Sequence, residues 1–452
     1  MTLEVIILAA GKGSRMKSAV PKVLHPLAGQ PLVHHVVRTA KSLEPRAIHV
    51  VVGHGGDAVR ASLADQHLSF HEQTEQLGTG HAVMQALPHC RDDSIVVVLF
   101  GDVPLISSET IHKLSTLAAE SPAMLSATVD DPKGYGRVIR DEENEFVSVV
   151  EDKDASGQQL QICEVNTGVL AAPAAQLTML LAKVENNNAQ QEYYLPDVFS
   201  LARAAGYPVD ICPLQDTGEM LGVNDRIQLE EVERKFQRRQ AEALMREGVA
   251  IADRCRIDIR GELVCGQNVS IDVNAVFEGR VVLSDGVTVG ANCVIKDAEI
   301  AAGSTIHPFC HIDAARIGAQ CQVGPYARLR QGTHLGSASK VGNFVETKNT
   351  TLGEGSKANH LTYLGDTQIG EGANIGAGTI TCNYDGVNKH PTQLGDRVFV
   401  GSNSTLVAPV TIDDDGFVGA GSVITGDVAS GELALGRSRQ RNIGGWQRPT
   451  KK

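Results

Sequence analysis

Residues 394–424 read L-G-D-R-V-F-V-G-S-N-S-T-L-V-A-P-V-T-I-D-D-D-G-F-V-G-A-G-S-V-I. Leu394, Val400, Leu406, Ile412, Val418 and Ile424 recur at every sixth position, often with glycine next in line. A six-residue period is neither helical nor the alternation of a plain strand. It marks a parallel β-helix whose coil has three flat faces, so the C-terminal half is expected to be a left-handed parallel β-helix of hexapeptide repeats. The same spacing occurs upstream in Ile317, Val323, Leu329, Leu335 and Val341. It also links Leu283, Val289 and Ile295, and then Ile300, Ile306 and Ile312. Each aliphatic side chain should point inward, and the glycine beside it should let the chain turn.

Working outward, 452 residues imply more than one domain. Apolar residues make up 42% of the chain but aromatics only 4%, which suits a solenoid filled with Val, Ile, Leu and Ala. A formal net charge of −12 argues against a nucleic-acid surface, which needs clustered cations. Nine cysteines without C-x-x-C pairs read as reduced thiols in a cytoplasmic protein, with neither a disulfide frame nor a zinc site expected. The first residues, Met1-Thr2-Leu3-Glu4-Val5-Ile6-Ile7, have no basic leader and read as a core strand. No apolar run is long enough for a membrane span, and no membrane partner is expected.

Residues 1–225 alternate apolar runs (Val5–Ala9, Ile48–Val52, Ile95–Phe100, Met124–Val129) with helical stretches. That order predicts an α/β domain with a mostly parallel sheet covered on both faces. Residues 226–247 contain no proline or glycine and carry a thin apolar stripe of Ile227, Leu229, Val232, Phe236 and Leu244. They predict a long exposed linking helix, ended by Gly248. Residues 248–452 hold the repeats and a basic tail, with Arg437, Arg439, Arg441, Arg448, Lys451 and Lys452 beside Trp446. On charge alone this tail reads as a solvated end.

The first chemical signal is Leu8-Ala9-Ala10-Gly11-Lys12-Gly13-Ser14-Arg15-Met16, directly after the first strand, followed by Pro21-Lys22. Glycines at such a strand-to-helix turn let backbone N–H groups approach a phosphate. The spacing is neither a dinucleotide fingerprint nor a Walker loop. The string L-A-A-G-x-G-x-R-M…P-K resembles the sugar nucleotidyltransferases. That resemblance implies catalytic roles for Arg15 and Lys22 and a UTP and UDP-sugar pocket at Leu8, Ala9, Ala10, Gly11, Lys22, Gln73, Gly78 and Thr79. On the sugar side it implies Gly136, Glu151 and Asn166, and it adds Asn224 to the UTP and UDP-sugar pocket. It also implies a divalent metal, Mg2+, on Asp102 and Asn224. The physics is compatible. An acidic residue at the carboxyl end of a parallel strand faces the ligand crevice, and Mg2+ takes only about one or two protein oxygens when phosphates supply others.

The second signal lies where the six-residue phase slips, at Gly342–Lys348, Lys357–Asp366 and Gly376–Gly386. These slips read as loops on the binding face. His360 is the candidate base, because histidine titrates near neutral pH. A lone histidine in a solenoid is usually structural. It would sit amid Arg330, Lys348, Tyr363 and Asn374 only if the coils stack in register. The strings H-L-T-Y-L-G-D and G-A-G-T-I-T-C-N-Y-D-G, joined to the first half, resemble the bacterial family of bifunctional N-acetylglucosamine-1-phosphate uridylyltransferase and glucosamine-1-phosphate acetyltransferase. That resemblance runs nearly the full length. It implies that His360 deprotonates the amine of glucosamine-1-phosphate, with Arg330 and Lys348 holding the sugar phosphate and Tyr363 and Asn374 at the sugar. It places acetyl-CoA on Asn383, Tyr384, Ser402, Ala420 and Arg437, which gives the basic tail a role. It implies a homotrimer with its acetyl-transfer sites between subunits, and a product that feeds cell-wall and lipopolysaccharide synthesis.

Some positions depart from the family pattern. Phe100 stands where tyrosine is frequent, Ser14 where threonine is usual, and Asp152 where histidine is common. Gln191 and Pro196 fall in a stretch that often carries glycine and threonine. Two rival readings remain at this point. One is a monofunctional sugar-1-phosphate nucleotidyltransferase with a purely structural solenoid. The other is a regulatory binding subunit that combines the two folds without the chemistry.

Overall fold

The structure is a computed structural model that describes residues 2–451. Met1, which opens the expected first strand, and Lys452 of the basic tail lie outside the described residues. The chain divides into two compact units, Met1–Phe236 and Gln237–Lys452.

The central strand of the first unit is Thr2–Ala9, paired in parallel with Ala47–Val52 on one side and Ser94–Phe100 on the other. Ser69–Glu72 extends the sheet beyond Ala47–Val52, also in parallel. Strand Glu164–Pro173 breaks the parallel pattern, running antiparallel to both Ser94–Phe100 and Ala123–Thr128. The run Val5–Ala10 is apolar throughout because both faces are buried. Val5, Ile7 and Ala9 enter one core, and Ile6, Leu8 and Ala10 enter the other. A strand covered on both sides has no polar face to alternate with.

In the second unit the coils stack as parallel strands two to nine residues long. Val289 pairs with Ile306, Ile306 with Val323, and Val323 with Val341, so one coil takes 17 or 18 residues. Every aliphatic residue of the six-residue series is buried in one continuous core. Each contributes about 1.5–3 kcal/mol of burial. The interior also holds hydroxyls that the apolar pattern does not announce. Ser356, for example, donates to the Gly370 carbonyl at 2.7 Å and accepts from the Ala373 N–H at 2.8 Å.

The glycines have a different purpose from the one expected. Gly290, Gly318, Gly336 and Gly376 are absent from the positive-φ residues. A Cβ on each would lie 2.6–2.7 Å from backbone atoms of the next coil. They permit close stacking. Left-handed corners fall mostly on other positions, some of them glycine, such as Gly286, Gly303 and Gly355, and others non-glycine, such as Asn274, Asn292, Phe309, Tyr326, Phe344 and Leu361.

Of the three phase slips, only the last adds chain. Ala358 pairs with Ile375 after 17 residues, but Ile375 pairs with Val400 after 25. The extra residues form the excursion between strands Ile380–Cys382 and Thr392–Leu394.

Helix Arg226–Arg246 leaves Ile227 of its expected stripe exposed but buries residues outside that stripe. Val232 packs in the first unit, with Leu229 and Phe236 against it, while Ala241 and Leu244 belong to the solenoid core. Gln237 is buried too. Its Nε2 donates to the Ile259 carbonyl at 2.9 Å, and its Oε1 accepts from the Ile259 N–H at 2.7 Å. Gln237→Ala is expected to cost about 1–3 kcal/mol for each backbone group left unpaired. The solenoid's denaturation midpoint would report it, and an unchanged midpoint would show that the pair contributes nothing.

Candidate active sites

In the first unit, the turn after Thr2–Ala9, the start of helix Thr79–Ala86 and the end of Ser94–Phe100 enclose a cleft of about 340 Å³. Its lining includes Leu8, Ala9, Ala10, Gly11, Lys22, Gln73, Gly78, Thr79 and Asp102. A Cβ on Gly11 would meet nothing within 4 Å, so this backbone is open to a ligand. Gly13 has φ +58°, and a Cβ there would press on the Lys22 Cβ at 2.6 Å, so the loop needs glycine to seat Lys22. Gly78 has φ +106° beneath the Tyr193 carbonyl. Gln73 is buried, and its Nε2 donates to the Gly78 carbonyl at 3.1 Å and to His81 Nδ1 at 3.1 Å.

Lys22 Nζ donates to Asp102 Oδ2 and, at 3.3 Å, to Asn224 Oδ1. Arg15 donates to the same Asn224 oxygen at 2.9 Å. The Val223 N–H bonds to the Asp102 carbonyl at 2.9 Å, tying the Asn224 segment to the strand end. Asp102 and Asn224 therefore aim their oxygens at one point, where a cation, the Lys22 ammonium, already sits. That donor pair fits a hard divalent ion that draws further oxygens from phosphates.

Of the residues expected on the sugar side, Asn166 pairs in register with Gly136, and Glu151 lies beside Gly136. Asn166 Oδ1 accepts from the Gly168 N–H at 3.1 Å, and the Phe100 ring packs on Gly168 with no hydroxyl to offer. Asp152 forms an ion pair with the buried Arg137 at 3.0 Å, so its departure from histidine has a local partner. Pro196 precedes helix Asp197–Ala204, and Gln191 takes a left-handed turn. No contact in the structure accounts for Ser14.

Glu151, Asp154 and Asp197 line a neighbouring pocket of about 540 Å³. Desolvation, and then Asp154, pushes Asp197 up to about 6. Glu151 also rises to about 6, by desolvation and then by Asp197, Asp154 and Asp152, with Arg137 opposing. An acid whose folded pKa exceeds its unfolded value contributes stability that is complete below the unfolded pKa and lost as pH rises through the folded one. This region is therefore expected to lose stability between about pH 4 and pH 7. Asp197→Asn should flatten that loss and raise the Tm at pH 7. Melting curves at both pH values test it, and a lower Tm at pH 7 would show that the carboxylate is favourably held.

The solenoid distributes its candidates over two edges. Leu329 pairs with Thr347, and Lys348 pairs with Gly365, so Arg330 and Lys348 occupy the same corner of successive coils. Arg330 bonds to Glu346 at 2.8 Å. The Lys389 ammonium beside Lys348, with Arg330 behind it, holds Lys348 below the usual lysine range. Such crowding of cations suits a phosphate dianion, which would relieve it. Tyr363 and Asn383 meet over Gly365, and Asn383 donates to Asp366. Tyr384 sits exposed on the added loop.

The other edge carries His360. Asn343 pairs with His360 in register, and His360 Nδ1 lies 2.6 Å from Asn343 Oδ1. The carbonyl oxygen can only accept, so Nδ1 is the donor in this pair, which in the neutral ring leaves the lone pair on Nε2. Below His360 the coils place Ala377, Ser402 and Ala420 in one column, linked by Gly378 N to His360 O, Asn403 N to Ala377 O and Gly421 N to Ser402 O. Arg437 ends the column, donating to the Ala420 carbonyl at 2.8 Å. Asn374 lies on the same face as His360, paired with Lys357 and Phe399. Among the described residues no hydrogen bond or ion pair joins Asn374 or His360 to Arg330, Lys348 or Tyr363, so stacking in register does not by itself surround His360 with those residues. The sequence reading missed Asn343 and Lys389. Asn343 stands one 17-residue coil before His360, so the period alone points to it. Lys389 lies in the added loop, where the period is lost.

A phosphate-type loop on an α/β sheet, joined to a hexapeptide solenoid bearing a histidine, defines a two-domain transferase. Family models agree in each half. A MobA-like NTP transferase domain matches residues 5–185, the GMPPB C-terminal domain matches residues 259–351, and the hexapeptide repeat of succinyl-transferase matches residues 391–426. The bifunctional protein GlmU of Marinobacter nauticus is 55% identical over 450 residues, 99% of each chain. That of Stutzerimonas stutzeri is 54% identical over 453 residues, 100% of each chain. That of Burkholderia thailandensis is 53% identical over 451 residues, again 100% of each. The chain belongs to the bifunctional GlmU family, in which a uridylyltransferase and an acetyltransferase share one polypeptide. The reading with a purely structural solenoid is not favoured, because the likeness to bifunctional relatives covers both halves.

Proposed function

We propose that the solenoid acetylates glucosamine-1-phosphate from acetyl-CoA, and that the cleft beside Asp102 then transfers UMP from UTP to N-acetylglucosamine-1-phosphate with release of pyrophosphate. The observation that carries the nucleotidyl half is the convergence of Lys22, Arg15, Asp102 and Asn224 at the open Gly11 backbone. Leu8, Ala9, Ala10, Gln73, Gly78 and Thr79 are assigned to the nucleotide, and Gly136, Glu151 and Asn166 to the sugar. Asp102 and Asn224 would hold Mg2+, whose charge would offset the negative charge of the triphosphate. Lys22 and Arg15 neutralise charge developing at the α-phosphorus as the sugar phosphate attacks.

In the solenoid, His360 Nε2 takes a proton from the substrate amine, which attacks the thioester carbonyl, and CoA thiolate leaves. Asn343 fixes the tautomer that this step needs. Arg330 and Lys348 bind the phosphate, with Tyr363 at the sugar. Acetyl-CoA follows the small-residue column of Ser402 and Ala420 towards Arg437, with Asn383 and Tyr384 contributing from the added loop. The candidates occupy two edges of one chain, and Asn374 sits apart from Tyr363. This supports a homotrimer in which neighbouring chains complete each site.

Among the described residues no helix is long and apolar enough to cross a membrane. A cytoplasmic location and supply of cell-wall and lipopolysaccharide synthesis follow from this reading. The test supplies glucosamine-1-phosphate and acetyl-CoA and follows free thiol, then adds UTP and Mg2+ and follows pyrophosphate. Both products are expected in sequence. Pyrophosphate from N-acetylglucosamine-1-phosphate with no thiol release in the first step would leave a monofunctional enzyme.

A further inference from the structure

The amino-terminal end of the sheet carries a polar cluster that neither reaction uses. Strands Thr2–Ala9, Ala47–Val52 and Ser69–Glu72 lie side by side, with Ile6 paired to His49 and Val51 to His71. On the face that Ile6 and Val51 share, Glu4, His49 and His71 form a row across the three strands. Cys90 joins them from the turn after helix Thr79–Ala86 and packs against the same apolar core. One carboxylate oxygen of Glu4, one ring nitrogen of His49 and the Cys90 sulfur lie within 4.8 Å of one another. The Glu4 side chain is fully buried, and that of His49 is 4% exposed.

From this geometry we propose that Glu4, His49 and Cys90 form a binding site for a zinc-class divalent cation, remote from Asp102. Oxygen, imidazole and thiolate donors together suit a borderline-soft ion in a tetrahedral site. Bonds of about 2.0–2.3 Å keep tetrahedral ligands roughly 3.5 Å apart; Glu4 and His49 already stand 3.1 Å apart, so the Cys90 sulfur is the donor that has to draw in, with water as the fourth ligand. As the sulfur–metal bond forms, the Cys90 thiol gives its proton to solvent. Carboxylate and thiolate then balance the dication, leaving a neutral buried centre in the apolar surroundings. His49 binds through Nε2, the nitrogen facing Glu4 at 3.1 Å, while Nδ1 lies 3.0 Å from His71 Nε2. With Nε2 on the metal, the Nδ1–H donates to His71, the orienting hydrogen bond that metal-bound histidines use. The competing account is an ion-pair cluster alone, since Glu4 already accepts from Arg46 at 3.2 Å and from the Arg91 N–H at 3.2 Å.

The test titrates the full chain with Co2+ in excess Mg2+, which fills the Asp102 site. A single Co2+ should bind with a thiolate-to-cobalt charge-transfer band and the visible bands of a tetrahedral ion, and Zn2+ should displace it. Cys90→Ser should abolish the charge-transfer band while uridylyl transfer persists, showing that the protein is folded. His71→Ala should weaken binding about 10- to 100-fold. If Cys90→Ser does not fold, His49→Gln replaces it, with loss of the tetrahedral bands expected. Absence of the charge-transfer band in the unaltered protein would overturn the site in favour of the ion-pair cluster. Its persistence in Cys90→Ser would overturn it in favour of an exposed thiol, Cys163 or Cys255.

Discussion

Replacing His360 with alanine is expected to lower acetyl transfer by about two to four orders of magnitude, the usual worth of a positioned general base. Uridylyl transfer is unchanged, because the Asp102 cleft belongs to the other unit. The KM for glucosamine-1-phosphate changes little, because the phosphate is assigned to Arg330 and Lys348 on a different edge. A histidine that merely packs would behave differently, with a lower Tm and near-normal turnover. His360 is exposed and its imidazole is held by Asn343, so little packing is lost with it. The rate of thiol release measured beside a melting curve separates the two outcomes.

Asp102→Ala has the opposite selectivity. It removes one of the two oxygens aimed at the cation position and frees Lys22 from its partner. Loss of one preorganised electrostatic contact at a reacting centre costs about two to three orders of magnitude, and here a divalent ion would be lost with it. Pyrophosphate release is therefore expected to fall at least that far, and EDTA should reproduce the loss in the unaltered protein. Thiol release should continue in both cases. If EDTA stopped thiol release as well, the solenoid reaction would need a metal that this account does not give it.

Much of this architecture is legible in the sequence because burial imposes periodicity. A residue such as Val400 has only one inward direction per coil face, so its spacing survives any local variation in polar residues. The strand Val5–Ala9 was equally legible, since both its faces are buried. What the sequence hid was contact between coils and between elements. Gly376 has an ordinary backbone conformation, and its reason for being glycine, the Ser402 N–H at 2.6 Å from a would-be Cβ, lies one coil away. Gln237 reads as a solvated helical residue until Ile259 is seen to fill both ends of its amide. The candidate nucleotide cleft stands out as a motif because Gly11, Gly13 and Lys22 are close in sequence. The residues proposed for acetyl transfer come from coils far apart in sequence, and only stacking shows that His360 heads the Ser402 and Ala420 column while Arg330 and Lys348 lie on another edge.

The central claim is that two independent reactions reside in the two units of one chain. The most direct measurement takes Asp102→Ala and His360→Ala, each folded, and records both thiol and pyrophosphate release for each protein. The account predicts a double dissociation, in which Asp102→Ala loses only pyrophosphate release from N-acetylglucosamine-1-phosphate and His360→Ala loses only thiol release. Parallel loss of both activities in either folded variant would contradict it.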